Sequence, residues 1–394
     1  MAGEAPEAVI LAEGLYATTD AKTAHGLVRK SSKYRIVGVI DSKLAGRDAG
    51  EVLDRVRRGI RIYASLEEAL REHPDVKYLI IGVATTGGKL PPGYRAVVKE
   101  ALRRGIGVVS GLHEFLSDDP ELAAIARETG AEIIDVRKIY YSTRIHYTGR
   151  IREVKALKVV VVGTDSAVGK RTTALMLADE LNRRGVKTVF VGTGQTAWMQ
   201  GAKYVFVLDS VVNDFIPGVL EDTVWRAYVE EKPKVIVVPG QGSPLHPVFP
   251  GSFEILNLLK PEVTLLQHAP ARKHFDGFPE FPMPPLEKFI KLIELLTDKP
   301  PFAITLNTEG LDEGEVEKIK EAIEREYGIP TVVPLREGLG RVIDLMLRTY
   351  PQLLESVRYG MGAAVASAEV EEKFCLDKER ILAEMQRVEV RRAE

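Results

Sequence analysis

Short runs of β-branched and apolar residues alternate with helical stretches along most of the chain, and this alternation narrows the fold more than any other feature. Residues 8–12 (AVILA), 36–40, 78–83, 107–110 and 132–136 read as strands, with helical patterns at 66–72 and 94–104 between them. Strands separated by helices imply a parallel sheet with crossover connections. A second series follows at 157–162, 188–191, 204–208, 235–238, 263–266, 302–306 and 330–333. Between the two series, residues 140–156 carry Arg144, Gly149, Arg150 and Arg152 with little periodicity and read as a connection. Residues 278–285 read as a proline-rich loop leading into an amphipathic helix with Leu286, Phe289, Ile290 and Ile293 on one face. The Ala- and Glu-rich stretch from Gly360 onward reads as helical. The expected class is α/β with two doubly wound domains: a Rossmann-like domain over 1–150, a P-loop NTPase-like domain over 151–350, and a helical tail over 351–394.

Composition excludes several classes. With 394 residues, 45% of them hydrophobic, there is enough apolar material for more than one core. Lys and Arg total 54 against 56 Asp and Glu, so no global basic field favours nucleic acid or a membrane surface. One cysteine, Cys375, cannot form an internal disulfide or a thiolate metal site. His25, His73, His113 and His146 lack partners at metal-ligand spacing, so no metal is expected. No apolar run reaches the ~20 residues a bilayer span needs, and residues 1–13 lack a basic n-region. A cytoplasmic protein acting on a small molecule is expected, with a symmetric homo-oligomer as the base-rate assembly.

The first domain carries one feature of a dinucleotide site and lacks another. Asp41 ends the second strand, where a ribose-binding carboxylate would stand. After the first strand, however, Glu13-Gly14-Leu15-Tyr16-Ala17 offers one glycine where the fingerprint needs three. A Rossmann-like domain without a dinucleotide fits better than a working NAD site.

The most informative segment runs from Gly163 through Thr164, Asp165, Ser166, Ala167, Val168, Gly169, Lys170 and Arg171 to Thr172 and Thr173. It follows an apolar strand and opens a helix lined by Ala174, Leu177, Ala178 and Leu181. Successive backbone N–H groups in such a loop form a nest for phosphate oxygens. The helix dipole and Lys170 add positive charge. The strict pattern G-x-x-x-x-G-K-[ST] is broken twice: Thr164 stands at the first glycine position and Arg171 follows the lysine. The loop resembles that of dethiobiotin synthetase, where a threonine after the lysine holds Mg²⁺ and a nearby strand ends in Val-Glu-Gly. Here that strand ends Val238-Pro239-Gly240. Phosphate binding is expected; ATP–Mg²⁺ is disfavoured as cofactor, and Arg171 is expected to add charge to an anion site.

Three further segments follow in order: Gly192-Thr-Gly-Gln-Thr196, then Asp209 with Asn213-Asp-Phe-Ile-Pro-Gly218, Glu221 and Asp222, and Gly240-Gln-Gly-Ser-Pro-Leu-His-Pro247. With the phosphate loop and its Gly-Lys-Arg-Thr-Thr run, this set resembles the DgcN-type D-glutamate N-acetyltransferases, long carried as a domain-of-unknown-function family. The resemblance covers nearly the whole chain. It implies acetyl transfer from acetyl-CoA, as co-substrate, to the amino group of D-glutamate or a related acidic amino acid. Coenzyme A carries a pyrophosphate and a 3′-phosphate, which a P-loop can hold without hydrolysis. An ATP-dependent ligase or kinase of the dethiobiotin synthetase type and a noncatalytic nucleotide sensor stand as alternatives.

Such a transfer needs a base, oxyanion donors and cations for the acceptor's carboxylates. Candidate bases are Asp214, Glu221, His246 and His268; the two acids equally suit helix capping, and His246 equally suits a structural place in its loop. His268 with Arg272 is a candidate carboxylate clamp, against a solvated turn. Gln195 and Gln241, two of six glutamines, are candidate amide donors, against loop-fixing hydrogen bonds.

Overall fold

The computed structural model describes residues 5–355. The first sheet contains β1 (Glu7–Leu11), β2 (Arg35–Ile40), β3 (Arg61–Tyr63), β4 (Tyr78–Ile81), β5 (Gly107–Ser110) and β6 (Ile133–Asp135). All are parallel, in the order β3-β2-β1-β4-β5-β6, which is the strand order of dinucleotide-binding folds. β1 is central, so Ala8 to Leu11 have no exposure and the strand is apolar on both faces. β3 was not expected from the sequence; its three residues begin with the exposed Arg61 and carry too little pattern to read.

The second half contributes β7 (Leu157–Gly163), β8 (Thr188–Gly192), β9 (Tyr204–Val205), β10 (Val235–Pro239), β11 (Val263–His268), β12 (His274–Phe275), β13 (Phe278–Pro282), β14 (Ala303–Leu306) and β15 (Thr331–Val332). Seven of these form a parallel sheet in the order β15-β14-β11-β7-β10-β8-β9. β7 is central, with Val235 opposite Leu157 on one side and Val263 opposite Val159 on the other. The stretch expected to be a proline-rich loop is instead β13, which pairs antiparallel with β12. The turn between them is Asp276-Gly277, with Gly277 at φ +79°. Asp-Gly is a strong hairpin signal, and here it outweighs the prolines that follow.

The two sheets share packing. Met199 and Val207 from the second half lie in the core of the first sheet. Helix Lys22–Arg29 is bound to helix Gln195–Gln200: the hydroxyls of Thr23 and Thr196 are 3.0 Å apart, and the Gln200 amide donates to the carbonyls of Gly26 (2.8 Å) and Lys30 (3.0 Å). Through Tyr350 the chain is one compact unit. Gln352–Glu355 forms a short helix, and the rest of the expected helical tail lies outside the described residues.

Glu221 fastens the connection between the sheets. It sits in helix Ile216–Glu231 with 1% exposure. It accepts hydrogen bonds from the Thr148 amide (2.6 Å), the Thr148 hydroxyl (2.9 Å) and the Ile151 amide (3.0 Å). Burial opposes its ionisation, but these donors outweigh burial and hold its pKa below the usual value. Among the described residues, no helix is long and apolar enough to cross a membrane.

Candidate functional site

The phosphate loop leaves the carboxyl end of β7 and closes onto helix Lys170–Arg183. Gly169 caps that helix at φ +108°, which a side chain would strain, and Ala167 takes φ +52°. This turn directs the loop into a cleft of about 660 Å³ whose wall includes every residue from Ser166 to Thr173. The Lys170 ammonium lies 2.5 Å from the Asp165 carbonyl. Burial removes it from water and lowers its pKa to about 7, against the pull of Asp165. Thr173 is committed to the Gln267 side chain at 2.7 Å. Thr172 is half-buried on the cleft wall, and its hydroxyl has no hydrogen bond among the described residues.

Asp165 fixes the loop from behind. Its carboxylate is fully buried. One oxygen accepts from Arg272 (2.7 Å) and the Asp276 amide (2.9 Å), the other from the Ser166 amide (2.6 Å). Arg272 also donates to the Ser166 carbonyl at 2.7 Å. Arg272, expected to clamp a substrate, is thus spent on the loop itself. His246 stands behind the same carboxylate, with Nε2 at 3.7 Å from it. Its Nδ1 accepts from the Val248 and Phe249 amides at 3.1 and 3.0 Å, so the proton resides on Nε2. The ring is fully buried against Phe249, Phe275 and Phe278, and burial lowers its pKa. Such a ring has no free lone pair to offer a substrate amine.

The other sequence-derived candidates divide. Thr164 bonds through its amide to the Gln267 carbonyl and through its hydroxyl to His268 Nδ1 (3.2 Å), and burial lowers the His268 pKa to about 4. Gln195 and Gln241 both line the cleft; Gln241 donates to the Thr193 carbonyl at 2.5 Å. Asp214 is exposed, and neither it, Glu221 nor His246 lines the cleft. Arg171 departs from its expected role. Its guanidinium crosses to the first domain, donates to the Lys22 carbonyl at 3.2 Å and lies over Gly26, where a Cβ would sit 2.3 Å from it.

Among the described residues, the cleft carboxylates Asp54, Asp209 and Glu309 are each engaged by an arginine, and none stands free at the loop for a nucleotide-bound metal. β10, beside β7, ends in Pro239, and Asp165 is sealed by Arg272. Among the described residues, no group of three His, Cys, Asp or Glu side chains could hold a metal.

The facing wall comes from the first domain: Ala17 to Thr19, Lys22, His25, Arg29, Leu53 to Arg55 and Arg137. Its dinucleotide features are used internally. Asp41 is buried and accepts from the Tyr16 amide (3.0 Å) and the Lys43 amide (3.1 Å). Tyr16 is itself fully buried, with its hydroxyl on the Ala49 carbonyl.

Residues 145–343 match the P-loop domain of a family described as a domain of unknown function, DUF1611, and residues 42–139 match its Rossmann-like domain. The chain belongs to the DUF1611 family. A DUF1611 family protein from Anabaena variabilis has a similar crystal structure: TM-score 0.79 and 32% identity, covering 87% of this chain and 99% of that one. Two similar proteins are named D-glutamate N-acetyltransferase. That from Tritonibacter scottomollicae is 33% identical over 295 residues, 72% of this chain and 84% of its own. That from a Pseudoalteromonas species is 30% identical over 273 residues, 68% and 80% respectively.

Sequence reasoning passed over several cleft residues of this DUF1611 protein. Arg137 and Asp209 form a two-point ion pair at the cleft (3.2 and 2.7 Å), and Arg29 pairs with Asp54 at 3.1 Å. Asp209 stood in a quoted segment but had no visible partner 72 residues away. Lys22 carried one readable signal: a lysine as the first residue of an amphipathic helix, just after the turn that holds Asp20.

Proposed function

We propose that the protein transfers the acetyl group of acetyl-CoA to the amino group of D-glutamate. The names of the two similar proteins suggest the reaction. The observation that carries the reading here is a phosphate loop without hydrolytic parts: Lys170 and the loop residues from Ser166 on line the cleft, while β10 ends in Pro239 and Asp165 is sealed by Arg272. A site of this kind suits a ligand held by its phosphates and reacted elsewhere along its length, as a thioester of coenzyme A is.

In the reaction, the amine nitrogen attacks the thioester carbonyl carbon. The N–C bond forms, the C–S bond breaks, the amine gives up a proton and the departing thiolate gains one. The loop amides and Lys170 would bind donor phosphate, and Gln195 and Gln241 on the same wall would offer amide side chains to the reacting end. Asp214, Glu221 and His246 are assigned no proton, because none lines the cleft. The test follows thiol release from acetyl-CoA with D-glutamate, alongside thermal-shift titrations with CoA, acetyl-CoA, ATP–Mg²⁺ and NAD. D-Glutamate-dependent thiol release with stabilisation by CoA is expected. Background release with D-glutamate and other acidic amino acids, or Mg²⁺-dependent formation of ADP, overturns the reading.

A further inference from the structure

We propose that the Rossmann-like wall of the cleft is an anion subsite in which Lys22 binds a carboxylate of the acceptor amino acid. That the bound acid is an acetyl acceptor rests on the acetyl-transfer reading; the binding of an acidic amino acid at Lys22 does not.

The first observation is the charge on the cleft wall. Lys22, Arg29, Arg55, Arg137, Lys170 and Arg171 line it, against Asp54, Asp209 and Glu309. Asp54 is paired with Arg29 and Asp209 with Arg137, while Glu309 reaches Arg272 behind the loop. Lys22, Arg55, Lys170 and Arg171 are left with no carboxylate partner among the described residues.

The second is the position of Lys22. It is the first residue of helix Lys22–Arg29, entered from the 3-10 turn Thr19–Ala21; Asp20 lies in that turn, and the first turn of the helix itself has no acid. A cation there opposes the helix dipole, and stability alone favours an acid. The phosphate-loop helix repeats the pattern, with Lys170 first and no acid in its first turn. Each domain therefore presents a helix-opening lysine to one cleft. Burial, Arg137 and Arg171 all work against the charge on Lys22. Of the nearby acids that favour it, Asp209 is held by Arg137 and Asp276 accepts from Thr19. A bound anion would relieve this arrangement.

The third observation selects carboxylate over phosphate. The Lys22 amide already donates to the Thr19 carbonyl, and the Ala24 amide to the Gly82 carbonyl. This helix start therefore lacks the nest of free amides that the phosphate loop has. What remains is a point charge on a flexible stem, which without surrounding amides can pair with a single carboxylate.

The test compares Lys22→Met and Lys22→Arg with the wild-type protein. Lys22→Met is expected to raise KM for D-glutamate by about 10- to 100-fold, with kcat and KM for acetyl-CoA within about threefold and Lys22→Arg restoring most of the loss. Without ligand, Lys22→Met should melt no lower than wild type, because an uncompensated cation is removed. A lower melting temperature assigns Lys22 a structural role and overturns the proposal. A change in KM for acetyl-CoA instead gives Lys22 to the donor's phosphates, and no change in either KM removes the subsite; both overturn it. If wild type releases no thiol, the acetyl-transfer reading falls, and D-glutamate thermal shifts still decide the subsite. A wild-type shift lost in Lys22→Met supports it; equal shifts, or none in wild type, overturn it.

Discussion

Protonation of Lys170 should couple ligand binding to pH in a way that can be worked from its surroundings. Burial lowers its pKa to about 7 in the unliganded protein, from an ordinary value of 10.5. A phosphate in the loop adds negative charge beside the ammonium and returns the pKa toward about 10. Binding therefore takes up a proton: about 0.9 at pH 8, about 0.5 at pH 7 and about 0.1 at pH 6. Affinity should fall about tenfold per unit as pH rises above about 7 and level off below about pH 6.

The same shift acts on folding with a definite sign. Between about pH 7 and about pH 10 the unfolded chain holds the Lys170 proton and the unliganded native protein does not, so this group makes stability rise with pH across that window, by up to about 1.4 kcal/mol per unit. Calorimetry in buffers of different ionisation enthalpy reads the proton uptake directly. The 3′-dephospho form of acetyl-CoA is the ligand of choice, because its pyrophosphate does not titrate near neutrality. Equal uptake in Lys170→Met and wild type, or affinity flat from about pH 6 to about pH 9, would refute the reasoning.

Two further outcomes test the scaffold. Gly26→Val places a Cβ 2.3 Å from the Arg171 guanidinium and 2.9 Å from the Thr196 methyl; it should lower stability by about 1–3 kcal/mol, read as an earlier urea midpoint, and an unchanged midpoint would show that Arg171 does not brace the two domains. Glu221→Gln turns an amide toward the Thr148 and Ile151 donors and should cost about 2–3 kcal/mol while leaving CoA binding unaltered. Because the folded pKa of Glu221 is depressed, its advantage over the glutamine variant is present above about pH 4 and shrinks as pH falls through the folded value; a pH-independent difference contradicts the assignment.

Local chemistry was readable in this chain and distant chemistry was not. β5 and helix Leu66–Glu72 follow their sequence patterns residue for residue, because β5, flanked by β4 and β6, is a short fully buried run and an amphipathic helix repeats its buried face. The phosphate loop was readable because its parts are consecutive from Gly163 to Thr173. Its anchor was not: Arg272 lies 107 residues from Asp165, and nothing near either residue names the other. Asp41 was recognisable as a ribose-type carboxylate by position, yet its bond to the Tyr16 amide, 25 residues earlier, decides that it serves the fold. The hairpin at Asp276-Gly277 carried a legible turn signal, masked by the prolines around it.

The arrangement of strand ends explains why the cleft forms where it does. Ligand sites in open parallel sheets lie outside the carboxyl ends of the strands, where the strand order reverses. In the second sheet, the segments leaving β7, β8, β10, β14 and β15 contribute to the cleft, and β11 adds Gln267 from its own carboxyl end. In the first sheet, the reversal lies between β1 and β4, and the segment leaving β1 supplies Ala17 to Thr19 and Lys22 of the facing wall. Two reversal points thus share one cavity. In the first domain the usual occupant is displaced from within, since Asp41 holds the Tyr16 amide and the Ala24 amide holds Gly82. What that domain still directs into the shared space is positive charge on side chains. The formal net charge of -2 hides this, because the acids that balance the total lie largely away from the cleft. An anionic donor held at the phosphate loop and an anionic acceptor held at the facing wall would together satisfy both reversal points. Neither a nucleotide confined to the phosphate loop nor a dinucleotide confined to the Rossmann-like crevice does so.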